Sequence, residues 1–175
     1  MNYTALIIGT VIIITFSWYF SIKDKRYHGI ARFFAFESIF ILVMLNWRVW
    51  FRDPFSGFQI ISWVFLFTSL YPAIAGYLTL HKKGKPEDNH IERTTILVKS
   101  GIFKYIRHPL YCSLFLFGTG VMFKDPGKIQ IILGAVNLLA IFFTARLEEK
   151  EMIKKFGPEY KQYMNETKMF IPYFF

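Results

Sequence analysis

The 175-residue sequence has a single cysteine, Cys112, with no Cys or His beside it at metal-ligand spacing. Neither a disulfide framework nor a zinc site can be built around it, and its expected role is packing. Charge is also scarce, at 19% of residues against the usual soluble quarter, and acidic residues number 12 against 21 basic. With 54% of the chain hydrophobic, disorder and collagen-like structure are excluded. A net charge of +9 would suit nucleic acid, but the basic residues lie between apolar runs, where they orient a chain against an anionic membrane leaflet. Nucleic acid is therefore not the expected partner. The sequence contains no internal repeat, low-complexity tract or Gly/Ser linker, so 1–175 reads as one domain.

What the sequence does have is long uncharged apolar stretches. Tyr3 to Ile22 is 20 residues without a charge, enough at about 1.5 Å per residue to match a hydrocarbon core of about 30 Å. No basic segment precedes it and no small-residue cleavage site follows, so it is expected as a retained span rather than a signal peptide. Phe33 to Phe51 contains Glu37, Asn46 and Arg48, which must face neighbouring helices or the surface. Phe58 to Leu80 is uncharged and carries Pro72 and Gly76, so a kinked span is expected. Leu110 to Phe123 and Ile129 to Ala145 flank the turn residues Asp125-Pro126-Gly127. They predict a helical hairpin that is tilted or crosses incompletely. The expected fold is all-α: a polytopic membrane helical bundle of about five transmembrane helices, with a three-span part in 1–80 and a more polar part in 81–175.

Orientation follows from the distribution of Lys and Arg. Alternate connections hold 17 of them and the opposite side four, at Arg48, Arg52, Lys124 and Lys128. The N-terminus is expected outside and the C-terminus inside. Both large polar segments, His81 to His108 and Arg146 to Phe175, then meet in the cytoplasm. The five-span plan without organelle signals favours a prokaryotic plasma membrane.

The first of these segments opens on a breaker-rich loop, Lys82 to Asn89, followed by the β-branched and apolar Thr94-Thr95-Ile96-Leu97-Val98. This reads as a loop and a short extended piece, whose exposed backbone groups suit the edge of a purine. An ordinary interhelical loop is the alternative. In Tyr105-Ile106-Arg107-His108-Pro109-Leu110-Tyr111, Pro109 fits the first position of a helix, where a missing N–H costs nothing. The N-terminus of that helix and Arg107 would make a cationic pocket for a carboxylate or phosphate. Alternatively, Arg107 and His108 anchor the helix at lipid headgroups. After the last apolar run, Arg146-Leu147-Glu148-Glu149 places acid where the helix dipole disfavours it, implying a cationic partner or continued helix. The simpler reading is a solvated helix with pairs such as Glu151 and Lys155. Phe156-Gly157-Pro158 ends that helix and Glu159 to Met164 begins another. The apolar tail Met169 to Phe175 is expected on the protein or the membrane interface.

The run Leu97 to Tyr111, then the hairpin, Glu148-Glu149 and Phe156-Gly157-Pro158-Glu159-Tyr160, resembles the membrane methyltransferases grouped around isoprenylcysteine carboxyl methyltransferase and phospholipid methyltransferases. The likeness covers about the last 85 residues of the chain. It implies a cytoplasmic pocket for S-adenosyl-L-methionine formed by Thr95, Ile96, Leu97 and Val98, by Phe103, by Arg107 with His108, Pro109, Leu110 and Tyr111, and by Glu148. Such a ligand carries a carboxylate suited to the helix N-terminus and Arg107, and an ammonium, sulfonium and ribose hydroxyls suited to Glu148. Phe103 and Tyr111 would pack on adenine or the sulfonium. Glu149 and Arg146 are the candidates on the catalytic, acceptor side, with Glu149, His108 or water as base if the acceptor is an amine.

One position departs from the resemblance. The prenylcysteine enzymes are expected to carry an arginine one turn before the cofactor glutamate, where this sequence has Thr144. The acceptor is therefore left open among a prenylcysteine-like carboxylate, another carboxylate, a lipid amine and a small thiol, all lipophilic or lipid-borne. A membrane reductase using NADPH is the rival enzyme class, which 175 residues and the lack of a Gly-rich fingerprint disfavour. A non-catalytic membrane scaffold is the third reading.

Overall fold

The computed structural model describes residues 2–24, 26–85 and 94–173. Residues 86–93, within the expected Lys82 to Asn89 loop and just beyond it, and the last two residues of the tail lie outside the described residues. Six α-helices follow one another: α1 (Tyr3–Phe20), α2 (His28–Asn46), α3 (Gly57–Lys83), α4 (Pro109–Met122), α5 (Lys128–Phe156) and α6 (Pro158–Glu166). α1, α2, α3 and α5 are long and apolar enough to cross a membrane, and α4 is a shorter apolar helix of 14 residues. At about 1.5 Å per residue α4 covers about 21 Å, short of a hydrocarbon core of about 30 Å. The chain is a polytopic helical membrane bundle, and no strand occurs among the described residues.

Local sequence explains the helix ends. Asn2 caps α1 by accepting the Ala5 N–H. Pro109 and Pro158 each occupy the first turn of their helices. Gly157, at φ +59°, separates α5 from α6 with a backbone conformation that side chains disfavour. α3 runs through Pro72 as one helix. α2 begins five residues before the apolar run, at His28, and a 3₁₀ turn over Trp47–Val49 completes it.

α4 packs closely on α3, and α2 packs along α5. At Gly120 a Cβ would lie 2.9 Å from Leu66 Cγ and 3.0 Å from the Leu66 backbone nitrogen, so only glycine admits this approach. Side-chain amides fasten the helices where no water competes. Asn137 donates to the Ala35 carbonyl at 3.0 Å, joining α5 to α2. Asn46 donates to the Val121 carbonyl at 2.7 Å, joining α2 to α4. The large apolar residues of α1 and the outer face of α3 stay exposed, as lipid-facing surface requires.

Beyond the apolar part of α5 the polar segments fold back on one another. Lys168 donates to Tyr105 O, while Arg107 and His108 donate to Lys168 O and Met169 O. Met169 and Phe170 are buried against α2 and α5, whereas Ile171 and Tyr173 are exposed. The tail thus begins inside the bundle and has reached its surface by Ile171.

Candidate active site

One cavity of about 260 Å³ opens where the N-terminus of α4, the last turns of α5 and the 94–98 segment converge. Thr94 to Val98 form no strand: the N–H groups of Thr95 and Ile96 both donate to Gly84 O, which turns the chain back at the end of α3. Ile96, Leu97 and Val98 line the cavity, together with Phe103, Arg107, His108, Pro109, Leu110, Tyr111 and Glu148. Thr95 is beside this wall rather than in it, its hydroxyl donating to Lys85 O at 2.9 Å. Pro109 starts α4 and His108 precedes it without a side-chain cap, so the positive end of the helix dipole opens onto the cavity.

The adjacent glutamates diverge. Successive helical residues point about 100° apart, so Glu148 and Glu149 cannot share a direction. Glu148 lines the cavity with its side chain 23% exposed, and its carboxylate is 4.0 Å from His108 Nδ1. The Tyr111 side chain is a hydrogen-bonding neighbour of the same carboxylate. Glu149, 3% exposed, turns away from the cavity and accepts from Arg107 Nε at 2.8 Å. Its Oε1 also lies 3.5 Å from His108 Nε2.

Arg107, 8% exposed, commits its Nε to this pair. Its Nη1 donates to Met164 O at 3.1 Å and to Thr167 O, fastening the start of α4 to the last turn of α6 and the residue after it. It is neither a headgroup anchor nor a solvated charge. Arg146, by contrast, is 55% exposed, reaches Glu149 only at 3.5 Å and does not line the cavity. Of the two acceptor-side candidates, therefore, neither Glu149 nor Arg146 is brought to the cavity wall. Glu151 also differs from expectation. In place of a solvated pair with Lys155, it meets Arg26 at 3.0 Å and His28 at 2.9 Å, while Lys155 donates to Thr94 O.

Sequence reasoning missed several wall residues. Met152 and Phe156 continue the Glu148 face of α5 at four-residue spacing, and Leu114 continues that of Tyr111. α6 contributes Tyr160 and Tyr163, also one turn apart. Burial, with the Glu148 and Glu149 carboxylates nearby, holds the Tyr160 hydroxyl above its usual range. Burial raises Tyr163 likewise, against the pull of Arg107. Both stay neutral, and Tyr163 donates to Phe103 O at 2.7 Å. Phe16, Arg32 and Phe36 complete the cavity from the first two helices. Arg32 and Phe36 lie one turn apart on one face of α2, a spacing that gave no signal of its own for a place in the cavity wall.

Residues 88–154 match the Isoprenylcysteine carboxyl methyltransferase (ICMT) family. The chain is 27% identical over 163 residues to methanethiol S-methyltransferase 1 of Bradyrhizobium diazoefficiens, covering 82% of this chain and 54% of that relative. It is 34% identical over 95 residues to protein-S-isoprenylcysteine O-methyltransferase of Saccharomyces cerevisiae, covering 52% and 36% respectively. The human protein-S-isoprenylcysteine O-methyltransferase is 35% identical over 91 residues, covering 49% and 30%. The chain thus spans about half or less of the length of these relatives. No solved structure matches.

Proposed function

We propose that this chain, which belongs over residues 88–154 to the isoprenylcysteine carboxyl methyltransferase family, is an integral-membrane methyltransferase that uses S-adenosyl-L-methionine. The observation that carries the proposal is the convergence on one cavity of Glu148, the α4 N-terminus and the backbone at 96–98. A single carboxylate, a helix dipole and aromatic walls make a donor set suited to a ligand with a carboxylate, a cation and a flat base. Bound there, that ligand supplies a methyl group made electrophilic by a sulfonium.

The residues supply position and a dry site. The α4 N-terminus at His108 to Tyr111 would hold the ligand's carboxylate, and Glu148 its ammonium or a ribose hydroxyl. Phe103 and Tyr111 would pack on the base or the sulfonium, with Tyr160 closing the wall. The Arg107–Glu149 pair keeps the α4 terminus aligned with α5 and so acts on the ligand only through those elements. Direct displacement asks for reacting atoms about 3 to 3.5 Å apart and little water, and for no covalent nucleophile.

The cavity volume of about 260 Å³ is below the roughly 300–1,000 Å³ of drug-sized pockets, so the donor alone would fill it and an acceptor would have to extend from it between helices into the bilayer. The 17 to four distribution of basic residues supports a cytoplasmic cavity with the N-terminus outside.

The test is equilibrium binding of S-adenosyl-L-methionine to the purified chain in detergent, with S-adenosylhomocysteine as competitor and NADPH in parallel. Saturable binding displaced by the homocysteine compound is the expected result. Binding of NADPH alone, or of neither ligand by folded protein, overturns the proposal.

A further inference from the structure

We propose that the end of the bundle opposite the cavity carries a second, separate binding site: a groove between α1 and α2 that holds one phospholipid whose only charge is its phosphate, as in phosphatidylglycerol. This proposal is independent of the methyl-transfer reading.

The start of α1 lies beside the end of α2, and the two leave a groove of about 660 Å³ between them, against about 260 Å³ for the cavity at the other end. Its floor is apolar, made by Ala5 of α1 and by Val43, Met44 and Leu45 of α2. One turn deeper the helices touch, because Gly9 lets the Phe40 ring sit where a Cβ would collide with it. Ile8 and Ile12 follow Ala5 along one side of α1 and are 56% and 61% exposed, so an apolar track leads from the groove toward the bilayer centre. Val43 to Leu45 belong to a helix long and apolar enough to span, which places the groove inside the hydrocarbon and its mouth at headgroup depth.

The mouth is polar in one sense only. Asn2, Trp47 and Arg48 are its polar side chains, and no Asp or Glu lines the groove. Asn2 Oδ1 accepts the Ala5 N–H at 3.2 Å, which leaves the amide NH2 as what Asn2 has to offer. The Trp47 indole and the Arg48 guanidinium are donors without acceptor capacity, and neither has a hydrogen-bond or ion-pair partner among the described residues. Three donors and one fixed positive charge thus ring an apolar floor.

A phosphodiester answers this set, since it offers acceptor oxygens and a single negative charge, and guanidinium takes it through two parallel bonds. A head that adds an ammonium would set a second cation beside Arg48, where no carboxylate waits for it. The floor and the Ile8 and Ile12 track select an acyl chain over a soluble anion, because burying them from lipid gains nothing for a small polar ion. An arginine that only anchored the span end would need neither the groove nor the matched donors of Asn2 and Trp47.

The experiment uses phosphatidylglycerol with a photoreactive diazirine on one acyl chain, added to the purified chain in detergent, with labelled peptides mapped by mass spectrometry. Label is expected in Ala5 to Ile12 and Val43 to Leu45, saturating, and displaced by unlabelled phosphatidylglycerol but not by dioleoylglycerol or inorganic phosphate. Arg48→Gln is expected to raise the half-saturating concentration by about tenfold or more. Arg52→Gln, which removes an exposed charge outside the groove, should change it by no more than about twofold. Label spread over the exposed faces of α3 and α5 without saturation overturns the proposal on wild type alone, whether or not the variants fold. Displacement by dioleoylglycerol would reduce the groove to apolar contact, displacement by inorganic phosphate would make its ligand a soluble anion, and equal losses in Arg48→Gln and Arg52→Gln would leave only general attraction of charge; each of these also overturns it.

Discussion

Arg107 Nε and Glu149 Oε1 lie 2.8 Å apart with both side chains almost wholly buried, joining the start of α4 to the end of α5. A buried pair is costly to halve, because the surviving charge keeps its burial and loses its partner. Arg107→Met and Glu149→Gln are therefore expected to destabilise the chain by about 3 kcal/mol or more. Thermal unfolding in detergent checks this, and melting near wild type for either variant would contradict the structural role.

Glu148 and His108 carry a different expectation, although Glu148 is the next residue to Glu149. Glu148→Gln and His108→Ala should weaken S-adenosyl-L-methionine binding by about tenfold or more while leaving helix content and melting temperature close to wild type. Equal affinity in all three proteins would remove these two residues from the ligand site.

Arg146 is more than half exposed and its contact with Glu149 is long, which predicts a surface contribution of no more than about 1 kcal/mol. Arg146→Ala is expected to leave donor affinity and acceptor KM unchanged. A raised KM at constant donor affinity would return Arg146 to the acceptor.

Lys124, in the turn between α4 and α5, is buried with its Nζ 3.3 Å from the Trp63 ring centroid and 2.9 Å from Gln59 Oε1. Burial lowers its pKa from 10.5 to about 8, while the ring and the amide favour the charged form and offset part of that cost. Between these values the unfolded chain binds more protons than the folded one, so stability should rise as pH increases from about 8 toward 10.5. Lys124→Met should flatten that rise. Melting temperature across the window checks both, and a rise unchanged in Lys124→Met would assign it to another group.

Some of this was legible from residue types alone. The uncharged runs at Tyr3 to Ile22 and Phe58 to Leu80 became α1 and α3 because hydrocarbon length and backbone hydrogen bonding admit few other structures. Pro109, Pro158 and Gly157 marked helix boundaries through their own backbone restrictions, which no neighbour has to supply. The Leu97 to Tyr111 box and Glu148-Glu149 were visible as a family pattern for the same reason: both are contiguous in the chain.

What sequence by itself determined, then, is the set of helices, their breaks and the location of the polar segments. Tertiary structure alone decided which glutamate faces the cavity, because that depends on the phase of α5 against α4 rather than on residue type. It also decided the partners of Arg107 and Glu151, drawn from 42 and more than 120 residues away. Arg32 is the clearest case. In sequence it reads as a basic residue at the edge of a span, and only the packing of α2 along α5 turns that charge inward, over the Phe16 ring and into the wall of the cavity that Glu148 also lines.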